Sequence, residues 1–114
     1  MPVDPLDNYL KMFRKRTGLT QTELARLLGC RSGSKVGRYE RGRRTPSFET
    51  MLTYEVVFRV TLASLFAGPF RRTLAGVRKH ARSLLRELNA LEPMSGVTKR
   101  KIQFLNELIE PPRP

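Results

Sequence analysis

The chain has 114 residues, enough for one domain with an appendage and for a modest core without disulfide or metal staples. Its 22 Lys and Arg stand against 10 Asp and Glu, and residues 1–68 and 69–114 share the excess, so this is not a neutral domain with a basic tail. A net charge of +12 attracts phosphate polymers or anionic membrane, and one Cys, one His and no Trp rule out an internal disulfide and leave little material for a metal site. Cys30 reads as a small buried apolar side chain and His80 as an ordinary surface histidine. No apolar run reaches the roughly 18 residues that span a bilayer. The start, MPVDPLDNYL, has no basic leader before an apolar run, so a cytoplasmic protein with no membrane partner, no metal and no cofactor is expected.

Taken in chain order, Asp4 and Pro5 can open a first helix, because proline suits a helix start. Leu6, Tyr9, Leu10 and Phe13 recur at helical spacing and line one face, up to Gly18. Thr20 and Glu23 form a capping-box pair, so a second helix follows, with Leu24, Ala25, Leu27 and Leu28 inward and Gly29 at its end. After the polar turn CRSGS comes a third helix, containing Val36 and Tyr39 and stopped by Gly42. Pro46 and Ser47 open a fourth. The stretch TYEVVFRV is evenly balanced, since Tyr54, Val56, Phe58 and Val60 alternate as in a strand. Thr61 caps a short turn, TLASLF, and AGPF reads as a linker. Beyond it Leu74, Val77, Ala81, Leu84, Leu88 and Leu91 repeat as a heptad seam on one helix. Thr98 can cap a last helix with Ile102, Leu105 and Ile109 on one face.

Arg41, Arg43 and Arg44 fall within four residues and repel one another, so an external anion is expected to relieve them. Two short helices joined by a glycine-containing turn make a helix-turn-helix, whose second helix enters the DNA major groove. Here that helix runs over about residues 33–41, and its leading Ser32, Gly33, Ser34 and Lys35 are small or polar, suited to base edges. Gly33 and Gly37 weaken a helix, by about 1 kcal/mol each relative to alanine, so their presence points to a close approach. For Gly33 a position in the turn itself is the alternative.

The segments GLTQTELARLLG at 18–29, VGRYERGRRTPS at 36–47 and VTLASLF at 60–66 resemble the Cro/repressor-like helix-turn-helix family of bacterial and phage regulators. The resemblance covers about residues 6–68 and implies an all-α five-helix domain at 1–68; beyond its end, the seam helix and the last helix read from the residues themselves as a basic two-helix extension at 69–114. It makes TYEVVFRV mainly the fourth helix. It implies that Gln21 bonds a phosphate and braces the recognition helix, with Thr20 beside it. It places Ser34, Lys35 and Arg38, within the wider set from Ser32, at base-reading positions. It places Arg41, Arg43 and Arg44 along the phosphate backbone, and it pairs Arg14 with Glu40. Two departures stand out. The turn between Ala25 and Val36 is one residue longer than the common pattern, which leaves the base-reading register open by one, and Arg59 stands where relatives often end the helix with glycine.

The resemblance implies a sequence-specific DNA-binding regulator, a repressor by operator occupancy, that binds double-stranded DNA as a homodimer. The C-terminal seam allows dimerisation, packing within the subunit, or a partner protein. The last makes an antitoxin-type autorepressor a rival reading, and a nonspecific nucleic-acid binder is a third. The acidic residues are scattered or assigned to caps and pairs, and no nucleophile–histidine set or glycine-rich phosphate loop is present, so no enzyme is expected.

Overall fold

A computed structural model describes residues 8–93 and 95–111. Among them there are seven helices and no strand: α1 (Leu10–Thr17), α2 (Gln21–Leu27), α3 (Gly33–Glu40), α4 (Phe48–Phe58), α5 (Leu62–Leu65), α6 (Ala67–Asn89) and α7 (Gly96–Ile109). The chain divides between Arg71 and Arg72 into two compact units.

Local sequence chemistry sets the ends of the helices. The expected opening at Asp4 and Pro5 lies outside the described residues. Asn8 and Tyr9 are not helical, and α1 begins at Leu10, whose N–H donates to Asn8 Oδ1 at 3.1 Å. Gly18 ends α1 in the left-handed region at φ 82°. The capping box of α2 forms in both directions: Glu23 N donates to Thr20 Oγ1 at 3.1 Å, and Thr20 N donates to Glu23 Oε1 at 2.9 Å. The bond that Thr20 N donates to the ionised carboxyl lowers the Glu23 pKa from its ordinary value. Ser47 and Thr61 cap α4 and α5, accepting from Thr50 N and Ser64 N.

The first unit closes around Leu10, Leu24, Ala25, Val36, Tyr39, Tyr54 and Leu65, all buried. The 3.6-residue period wins over the alternation in TYEVVFRV. Tyr54 is fully buried and Val57 and Phe58 half-buried one turn on, whereas Val56 is 74% exposed. An aromatic chain runs from Phe13 to Phe58 (centroids 6.1 Å apart), to Tyr54 (5.8 Å) and to Tyr39 (6.3 Å), stitching α1, α3 and α4. The Tyr54 hydroxyl is buried without a hydrogen-bond partner among the described residues, and burial raises its phenol pKa. Cys30 is half-buried against this core.

In the second unit the packing departs from the expected seam. Leu74, Leu85 and Leu88 are half-buried and Ala81 is buried, while Val77 and Leu84 are 42% and 45% exposed. The covered stripe is thus turned by about one residue, and Arg78 Nε reaches Leu108 O of α7 at 3.3 Å. Leu91 does not belong to that face, because α6 ends at Asn89. AGPF is no linker: it forms the first turn of α6, where Pro69 needs no N–H partner. The cap of α7 is Ser95, not Thr98. Thr98 lies one turn inside, with its N–H donating to Ser95 Oγ at 3.1 Å. Leu105 is buried, and Ile102 and Ile109 are half-buried.

Arg59 closes α4 at φ 57°, ψ 39°, a left-handed conformation that an L side chain adopts at a cost. Arg59→Gly is therefore expected to stabilise the chain by about 0.5–1 kcal/mol in urea unfolding, and an unchanged midpoint would contradict this reading.

Candidate nucleic-acid interface

The site is built on α2, α3 and the turn that follows. Arg14 rises from α1 into the unit's interior and is only 9% exposed, as Glu40 at the end of α3 is 5% exposed. Arg14 Nε donates to Glu40 Oε2 at 2.6 Å and Nη2 to Oε1 at 3.2 Å, while Nη1 donates to Leu19 O at 3.0 Å. The bond to Glu40 and its charge hold the guanidinium above its ordinary pKa. Gln21 Nε2 donates to Glu40 Oε1 at 3.1 Å, so the first residue of α2 joins the same pair. Asn8 Nδ2 adds a bond to Tyr39 O at 3.1 Å. Three helices are thereby locked at the C-terminal end of α3.

The N-terminal end of α3 faces outward. Ser32 and Ser34 are exposed and their hydroxyls lie 2.8 Å apart. Arg38 is exposed and Lys35 half-buried. Gly33 has a different job. A Cβ there would stand 2.9 Å from Thr22 N and 3.0 Å from Gln21 C, so the close approach it permits is to the start of α2.

After α3 the chain turns on Gly42 at φ 71°, with Gly42 N donating to Tyr39 O and Arg43 N to Arg38 O. Arg41, Arg43 and Arg44 are all exposed. Among the described residues no ion pair joins any of them. Beside that pair, between α1 and the α2–α3 corner, is a cleft of about 440 Å³ bordered by Lys11, Lys15, Gln21, Gly37 and Arg41. The sequence reading did not nominate Lys11 or Lys15. Their spacing of four on α1 was a usable signal, but it also describes an ordinary solvated face.

Among the described residues no cluster of three or more His, Cys, Asp and Glu could hold a metal ion, and no described helix is long and apolar enough to cross a membrane. An outward polar helix start, a braced helix end and an unpaired arginine turn define a helix-turn-helix of the DNA-binding type. Residues 8–63 match the family model described as a helix-turn-helix domain, and the chain carries a domain of the Cro/repressor-like helix-turn-helix group. Comparison with curated proteins and with solved structures returned no significant match.

Removing one member of the buried pair strands the other charge. Glu40→Ala is expected to cost about 3–5 kcal/mol in chemical unfolding, and Arg14→Met with Glu40→Leu to lose less than either single change. Equal losses in the single and double variants would contradict this role. Gly33→Ala is expected to destabilise by about 1–3 kcal/mol, because the methyl meets backbone that cannot yield. A neutral result in the same assay would mean that α2 and α3 can separate freely.

Proposed function

We propose that the chain is a sequence-specific transcriptional regulator that lays α3 in the major groove of double-stranded DNA and represses by occupying an operator on the nucleoid. One observation carries this reading: the outward start of α3 and the arginines that follow it lie on a single helix and its turn, with no carboxylate paired to them among the described residues. Ser32, Ser34, Lys35 and Arg38 supply donors and acceptors for base edges. Arg41, Arg43 and Arg44, with Thr20 and Gln21 at the start of α2, hold the backbone phosphates and set the register. Gly33 contributes packing, and no step requires a cofactor.

The second unit supports a homodimer. Val77 and Leu84 on α6, and Val97 and Phe104 on α7, remain exposed, and two copies would present two recognition helices to an inverted repeat. The same exposed side chains favour, as the second reading, a partner protein such as the toxin of an antitoxin-type autorepressor. Sedimentation of the pure protein separates the two, since a monomer at micromolar concentration removes the homodimer.

Selection from random duplex DNA at about 150 mM salt, where nonspecific contacts are weak, tests the main reading. An enriched inverted repeat is expected, and no enrichment would leave only a charge-driven binder. On the enriched site, Lys35→Ala or Arg38→Ala should relax base preference by about 1–3 kcal/mol. Arg43→Ala or Arg44→Ala should weaken every sequence alike and flatten the salt dependence by about one ion each. Equal effects of both sets on all sequences would remove α3 as the reading helix.

A further inference from the structure

Gly37 sits in the middle of α3 with ordinary helical geometry, so no backbone conformation requires a glycine there. It weakens the helix relative to alanine. Its surroundings supply a reason. A Cβ on Gly37 would stand 3.1 Å from Arg41 Nη1, 3.4 Å from Gln21 Nε2 and 3.6 Å from Gln21 Oε1. The side-chain ends of Arg41 and Gln21 therefore cover the bare face of Gly37 together.

The two side chains differ in freedom. Gln21 is fixed, because its amide donates to Glu40. Among the described residues Arg41 has no carboxylate partner, and the charge of Glu40 is already engaged by Arg14. The space that Gly37 leaves is what lets the Arg41 guanidinium lie back along α3. Lys11 and Lys15 border the same cleft. Three cationic groups thus border the cleft with the amides of Asn8 and Gln21, and among the described residues its one carboxylate, Glu40, is already bonded to Arg14 and Gln21.

We propose that Gly37 is a positioning residue: it seats Arg41 against Gln21 and so preforms a site for one DNA backbone phosphate at this cleft. The proposal rests on the DNA-binding reading. A guanidinium held in place before binding loses less conformational freedom on binding than one recruited from solvent. Alanine would displace it at little cost to the fold, since the crowded atom is the far end of a flexible side chain. Gly37 and Gly33 are therefore opposites. A methyl at Gly33 meets backbone, and a methyl at Gly37 meets a movable functional group.

The test is a double-variant cycle on the full chain, with a random-sequence duplex of about 30 base pairs at low salt as the probe, where phosphate contacts dominate. Gly37→Ala is expected to raise Tm by about 4 °C through helix propensity. It is expected to weaken binding by about tenfold and to flatten the salt slope by about one. Arg41→Ala should weaken binding similarly, and Gly37→Ala combined with Arg41→Ala should bind no worse than Arg41→Ala alone. Unchanged affinity in Gly37→Ala, or a further loss when it is added to Arg41→Ala, overturns the role of Gly37 while leaving DNA binding in place. No duplex binding by the unaltered chain overturns the DNA-binding reading itself, and the role of Gly37 with it.

Discussion

The fold of the first unit depends on one buried ion pair. Arg14 comes from α1, Glu40 from the end of α3, and Gln21 from the start of α2 closes on the same carboxylate. Two charges removed from water are costly unless every lone pair and proton finds a partner. Here Glu40 accepts from both Arg14 and Gln21, and Arg14 spends its remaining reach on Leu19 O. Apolar side chains in the same places would also bury against one another. They would not fix the angle and register of α3, because apolar contacts are non-directional.

That constraint explains the division of labour along α3. Its C-terminal end is buried and bonded, so its N-terminal end can be exposed without wandering. Val36 and Tyr39 anchor the inner face in the apolar core. Gly33 lets the start of the helix press on α2. The outer face is then free to carry Ser34 and Arg38, which contribute nothing to the core. The arginine turn follows at once, where Gly42 reverses the chain. Packing and charge are thus separated onto opposite sides of eight residues.

Much of this was legible in the sequence because the signals were local. Thr20 and Glu23 announce the start of α2 by themselves, and Gly18, Gly29 and Gly42 mark left-handed stops. What local signals left open was decided by tertiary contacts. TYEVVFRV carries a strand-like alternation that leaves its own periodicity undecided; the family resemblance already made it helix, and the burial of Tyr54 against Tyr39 and Phe58 supplies the physical reason. On α6 the seam residues Leu74, Ala81 and Leu88 are covered within the chain, but Val77 and Leu84 are left exposed while Leu85 is half-buried, a choice that packing against α7 makes and heptad spacing does not. Ser95 and Thr98 are both good caps, and the choice between them depends on where the chain leaves the preceding turn. Of the site, Lys35, Arg38 and the arginines of the turn could be named from the sequence, whereas Lys11 and Lys15 look like any solvated helix face until the cleft beside them is seen. The object of Gly33's close approach could not, since small residues look alike whether they meet DNA or a neighbouring helix.

The central claim is that α3 reads the major groove, and methylation interference on an enriched duplex tests it most directly. Guanine N7 lies in the major groove and adenine N3 in the minor groove, so methyl groups at each report separately. The account predicts that N7 methylation within the site blocks binding, and that Arg38→Ala removes the block at one or two guanines. Interference confined to adenine N3, or none at any base despite tight binding, would contradict it.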